Sequence, residues 1–229
     1  NKKGFNMNKY IVFVMTLVYI LSFSAISSAD TLTKKIGIVI FDGVLISEVT
    51  APIEVFAPGY EQDDAKIQFN VQLIAESMDT LKTHEGLRLL PDATFNDDPQ
   101  LDILVVPSSF NLEASENNAN VVNFVKQQGA KVEYLASNCA GAFIVGEAGL
   151  LKGKKVVTYV GGGTYLQERF PEALVQDDTK HTVIVDGNYI SSNGALVSYE
   201  SAFKLLEIIS GKQASDSRKA ELFYDQLIK

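Results

Sequence analysis

A chain of 229 residues with 46% apolar side chains and no repeat or low-complexity tract can bury one sizeable α/β core. Its 20 Lys and Arg against 28 Asp and Glu give a formal net charge of −8. With no basic cluster to offset that balance, nucleic acid and anionic membrane surfaces are excluded as expected partners.

Residues 1–29 carry Lys2, Lys3 and Lys9 but no acid. A run of 20 uncharged residues extends from Tyr10 to Ala29, with Ser27 and Ala29 in a small-x-small arrangement before Asp30. A basic start, an apolar stretch and a small-residue cleavage site predict a signal peptide cut after Ala29. Met7 reads as the start, with residues 1–6 as an upstream extension. A retained membrane anchor is the alternative, because the uncharged run borders on spanning length. The expectation is an exported, periplasmic protein with no stable membrane insertion after processing and one domain over residues 30–229. Without residues 1–29, 17 basic side chains face 28 acidic ones, a net charge of −11. The single cysteine of such a chain is a free thiol or an intermolecular bridge.

Lys35–Phe41 is a continuous apolar run, as expected of a parallel strand buried on both faces. Asp42-Gly43 turns the chain, and Val49–Phe56 reads as a short helix with Pro52 in its first turn. Glu48 stands at its entry. Ile67–Ile74 reads as a second strand, and Leu87–Leu90 with Ala93–Phe95 as a small excursion. Asp102–Pro107 is a buried strand, and Asn117–Gln128 a helix closed by Gly129. Ala130–Ala136 is a further strand, followed by a small-residue helix from Gly141 to Gly149. Lys154–Tyr159 reads as a strand and Thr164–Arg169 as a helix. Thr182–Ile190 is a hairpin turning at Asp186-Gly187, and Val197–Ile209 a long helix stopped by Gly211.

Strands alternating with helices predict a mostly parallel, doubly wound sheet covered on both faces, in a single domain. Its active crevice should lie beyond the carboxyl ends of the strands. Four such ends carry polar or reactive residues: Asp42-Gly43, Ser108-Ser109, Asn138-Cys139-Ala140 and Thr158-Tyr159. Cys139, flanked by small residues between a strand and a helix, has the setting of a nucleophile elbow. The helix N-terminus behind it should lower the thiol pKa and favour an oxyanion. The plainer reading is a small buried core cysteine. His84 and His181 follow no strand on the active edge and read as surface residues. Gly161-Gly162-Gly163 is only superficially a phosphate cradle, since no Lys-Ser or Lys-Thr follows.

Three segments resemble the DJ-1/PfpI superfamily of class I glutamine amidotransferase-like folds. They are Ile36–Phe56 around Glu48 and Pro52, Gly86–Phe95 with Asp102–Pro107, and Ser137–Gly194 including Glu147-Ala-Gly-Leu-Leu. The flavour is similar to isocyanide hydratases and to the amidase-like half of AraC-type regulators. The resemblance implies a flavodoxin-like fold, a homodimer and no cofactor. It also implies that Cys139 pairs with a carboxylate from the first β-to-α connection, here Glu48; alone, Glu48 would read as a solvated acid at a helix start. Backbone N–H groups after the third strand and the elbow would line an oxyanion hole, here from Ser108, Ser109 and Ala140. Tyr159, Asn193 and Gly194 fall at the remaining pocket positions.

Three departures bear on the chemistry. Tyr159 stands where hydrolytic relatives carry a histidine, Ser108-Ser109 replaces the usual Gly-Gly, and Ala140 replaces the threonine of isocyanide hydratases. The expected function is a cofactor-free, cysteine-dependent hydrolase, hydratase or lyase acting on a small electrophile. The rival is a non-enzymatic thiol sensor or small-ligand module. A DNA-binding regulator is rejected on the acidic charge and on the 18 residues after Gly211.

Overall fold

The continuous apolar runs become the centre of the sheet. In the computed structural model, which describes residues 32–59 and 67–227, β1 spans Leu32–Val39, β2 Ile67–Ala75 and β6 Ile103–Val106. β7 spans Tyr134–Asn138, β10 Val183–Asp186 and β11 Tyr189–Ser192. All four residues of β6, and Ile36 to Val39 of β1, are buried. Burial without a period of two means that both sheet faces are covered. The expected signal segment, residues 1–29, lies outside the described residues.

Seven strands run in the order β10-β11-β7-β6-β1-β2-β5, β5 being Ala93–Thr94. Every pairing is parallel except the β10–β11 hairpin. Numbered among themselves, the five long parallel strands follow the flavodoxin-like order 2-1-3-4-5, which reverses between β1 and β6. Two short strands, β3 (Leu81–Lys82) and β4 (Arg88–Leu89), form a side hairpin before β5.

Helix α1 (Ile46–Phe56) packs against α5 (Val197–Ser210), and α2 (Ala119–Gly129) against α3 (Gly141–Glu147). Asn118 caps α2 through its side chain, and Val121, Phe124 and Val125 turn to the core with Gln128. α1 begins three residues before the expected Val49, so Pro52 lies inside it rather than in its first turn. Its start comes from the tertiary structure: the Ile46 N–H donates to the carboxylate of Glu85, 3.1 Å away. Helix α6 (Lys212–Glu221) follows Gly211 at once, and α7 (Tyr224–Leu227) ends the described chain.

The expected strand Lys154–Tyr159 shrinks to β8 (Lys155–Val156), which pairs with β9 (Leu174–Val175) outside the main sheet. The reason is occupancy. β11 already pairs with β7 on one side and β10 on the other, leaving no ladder position for β8. The N–H of Val157 donates instead to the Ser191 hydroxyl (3.0 Å) and that of Lys155 to Asp186 (2.8 Å). Helix α4 (Gly163–Arg169) separates β8 from β9. Among the described residues, no helix is long and apolar enough to cross a membrane.

Candidate active site

β7 delivers Cys139 to the carboxyl edge of the sheet, and the chain there takes a conformation L-residues avoid. Cys139 has φ +53°, the left-handed region that strains a non-glycine residue by roughly 1–2 kcal/mol. Two hydrogen bonds hold it: its N–H donates to Ser192 O (2.9 Å), and its carbonyl accepts from the Thr158 hydroxyl (2.8 Å). The tight turn also needs Gly141, because a Cβ there would strike the carbonyl oxygens of Val106 and Pro107. The strained strand-to-helix turn is a nucleophile elbow in geometry as well as in sequence.

Glu48 reaches the same place from the first turn of α1. Its side chain is fully buried. Oε2 accepts from the Ser108 N–H at 2.7 Å, and Oε1 from the Ala195 N–H at 3.2 Å. The carboxyl lies beside the Cys139 thiol, close enough for each group to shift the other's ionisation. Gly194 (φ +82°) closes the third side, and a Cβ there would collide with both Cys139 Cβ and Glu48 Oε1. Glu48, Cys139 and Gly194 therefore share one small volume beside the point where the strand order reverses.

Burial raises the Glu48 pKa above the ordinary carboxylate range, against the lowering effect of the two backbone donors. Cys139 is partly exposed. Burial first, and the neighbouring Glu48 charge second, push its thiol up to about 11. This corrects the expectation of a lowered thiol pKa. The Ala140 N–H at the start of α3 does favour the thiolate, but burial and the carboxylate outweigh it. The resting thiol therefore holds its proton.

The remaining sequence-selected residues divide. Ser108 is buried with its N–H committed to Glu48, so that N–H is not free to serve an oxyanion. The Ser109 hydroxyl donates to Gly43 O and accepts from the Asn111 N–H, each at 2.8 Å, which ties two loops together. Tyr159 is exposed and stacks on Phe143, their ring centroids 6.1 Å apart. Burial of part of the ring first, and then the neighbouring Cys139, raise its phenol pKa. Asn193 does not turn into the pocket. Its amide donates to Thr158 O at 2.6 Å and supports the loop that carries Tyr159. The Ala195 N–H is not signalled in the sequence except by Asn193-Gly194 ahead of a helix, and Thr158 is legible there only as a strand end, not as the donor that holds Cys139. His84 and His181 are both exposed. The Gly163 N–H is taken by the Asp178 carboxylate at 2.8 Å, which fills the place a phosphate would need.

A flavodoxin-like α/β protein with a strained elbow cysteine and a buried carboxyl beside it is the class these features define. Residues 34–208 match the DJ-1/PfpI family, and the chain belongs to that family. It is 26% identical over 190 residues to the isonitrile hydratase of Pseudomonas putida, covering 83% of this chain and 78% of that protein. It is 28% identical over 185 residues to protein DJ-1 homolog B of Arabidopsis thaliana, covering 79% of this chain but 39% of the plant protein. Among solved structures, a THiJ/PfpI family protein from Pseudomonas syringae superposes with a TM-score of 0.75 at 21% identity, covering 88% of this chain and 80% of that one. An AraC family transcriptional regulator from Pseudomonas putida does so with a TM-score of 0.67 at 17% identity, covering 82% and 98%. At these identities the superpositions show a shared fold.

Proposed function

We propose that this protein is a cofactor-free enzyme that uses Cys139 as nucleophile and Glu48 as acid and base on a small electrophile. The observation that carries this reading is the close approach of the two groups at Gly194, with the buried carboxyl aimed by two backbone donors. A carboxyl that is hard to ionise beside a thiol that holds its proton is suited to moving one proton as sulfur attacks and returning it later.

Isonitrile chemistry, the activity named for the Pseudomonas putida relative, fits this exchange. Sulfur would bond to the isonitrile carbon while its proton passes through Glu48 to the same carbon, giving a thioimidate. Water adding to that carbon would release an N-substituted formamide and restore the thiol. Ala140 in place of the threonine of isocyanide hydratases leaves amides and α-oxoaldehydes as alternative substrates. The Ser109 and Ala140 N–H groups are the proposed oxyanion donors.

Protein beginning at Asp30 would be assayed on a panel of isonitriles, amides and α-oxoaldehydes beside Cys139→Ser. Turnover lost in the variant supports the enzyme. Absence of turnover throughout, with stoichiometric oxidation of Cys139 by peroxide, would establish the second reading, a thiol sensor or ligand module. That reading draws on the fold shared with the regulator above. Export and dimerisation belong to the same proposal. The N-terminal residue of secreted protein and its mass in solution test them.

A further inference from the structure

β6 lies between β1 and β7 in the sheet. The segment leaving its carboxyl end therefore runs between the residue delivered after β1, Glu48, and the residue delivered after β7, Cys139. The β6–β7 register pairs Val106 with Ser137. Two residues further along both strands, Ser108 comes beside Cys139. Gly141 permits this approach, since its missing Cβ leaves room for the Val106 and Pro107 carbonyls.

Ser108 is 2% exposed, and its Oγ is buried without a hydrogen-bond partner. An unpartnered buried hydroxyl is a penalty that a fold seldom carries without a reason. The serine is not needed to hold Glu48, because its backbone N–H already does that. The hydroxyl lies where it favours the charged forms of both Glu48 and Cys139.

We propose that the Ser108 hydroxyl is a positioning residue for the nucleophile, left without a partner while sulfur is a thiol and donating to it once it becomes a thiolate. This rests on the reading of Cys139 and Glu48 as the reactive pair and adds a third member. The serine transfers no proton. The sulfur proton goes to the Glu48 carboxylate, and the serine O–H turns toward the negative sulfur. The unmet need of the hydroxyl is satisfied when the nucleophile is ionised.

The titratable groups whose charge couples to that of Cys139 are Glu48 from α1 and Tyr159 from the segment after β8. The test must separate their effects from that of the serine. Iodoacetamide alkylation of Cys139 would be followed across pH in wild type, Ser108→Ala, Ser108→Thr, Glu48→Gln and the Ser108→Ala/Glu48→Gln double variant. Loss of one charge-assisted donor should slow alkylation about tenfold at a given pH and move the profile upward by about one pH unit. Threonine, which keeps the hydroxyl, should restore most of the rate. In the Glu48→Gln background the serine effect should persist, because it acts on sulfur directly. Circular dichroism on each variant, with Ser108→Gly as a second hydroxyl-free variant, separates loss of the hydroxyl from loss of the fold. Alanine and glycine profiles that both lie within about twofold of wild type, or an effect that vanishes in the Glu48→Gln background, overturn the proposal. These readouts need no substrate, so their outcome is independent of whether the turnover panel identifies an enzyme.

Discussion

Replacing Gly194 by alanine isolates the close approach on which the site depends. Two separate penalties arise. A left-handed φ of +82° strains alanine by roughly 1–2 kcal/mol. The added methyl also lies well under 3.0 Å from Cys139 Cβ and Glu48 Oε1, and 3.0 Å from Cys139 Cα. Crowding of this kind in a packed interior adds about 1–3 kcal/mol. The sum, about 2–5 kcal/mol, is a large fraction of a typical folding free energy of about 5–15 kcal/mol. At a urea dependence of about 2 kcal/mol per molar, the unfolding midpoint should fall by about 1–2.5 M.

Gly187→Ala supplies the control, because Gly187 has φ +63° but no atom within 4 Å of its would-be Cβ. It should show the backbone penalty alone, about 1–2 kcal/mol. Gly194→Ala should also speed alkylation of Cys139, since a wedge between thiol and carboxyl separates the sulfur from the Glu48 charge that helps hold the thiol up. Equal midpoint losses in the two variants, with unchanged Cys139 alkylation, would refute the reasoning, because crowding at the reactive pair would then be absent.

Glu48→Gln should destabilise the fold by about 1–3 kcal/mol in urea titration, because both carboxyl oxygens accept from backbone N–H groups and an amide turns one acceptor into a donor. The same variant should bring the thiolate midpoint, read by ultraviolet absorbance, below about 11 while burial keeps it above the free-cysteine range; a midpoint unchanged or raised counts against the charge argument. Cys139 binds its proton more tightly folded than unfolded. Wild type should therefore lose stability relative to Cys139→Ala as pH rises from about 9 to about 11, by about 2–3 kcal/mol in all, with the difference between them constant below that window. Glu48, also raised, adds a loss of stability with rising pH that starts at the ordinary carboxylate range, and Glu48→Gln should abolish it. Arg218, 5% exposed, donates to the carbonyls of Glu54, Val55 and Ala57 at the end of α1 and pairs with Glu221 at 2.6 Å. Arg218→Ala should cost about 2–4 kcal/mol in unfolding experiments and leave the Cys139 alkylation profile unaltered; a shifted profile would show that α6 reaches the site.

Elements whose signals are local can be read directly from the order of residues. Unbroken apolar runs such as Ile36–Val39 and Ile103–Val106 suit strands covered on both faces, and they sit at the centre of the parallel sheet. Cys139 between a strand and a glycine-rich helix start was legible as an elbow, since small neighbours are what a tight turn requires. The start of α1 was not legible, because Glu85, 39 residues beyond Ile46 in the chain, supplies its cap. The retreat of β8 from the sheet was hidden too, because a strand of adequate propensity cannot signal that a hairpin already holds the edge. The state of the reactive pair was likewise decided only in three dimensions. A helix N-terminus promised a lowered thiol pKa, and that local effect is present in the Ala140 N–H. Burial and the Glu48 carboxyl exceed it, and both follow from the order in which the strands assemble. Position along the chain records which groups a turn can present; whether a charge there is welcome depends on what distant segments bring beside it.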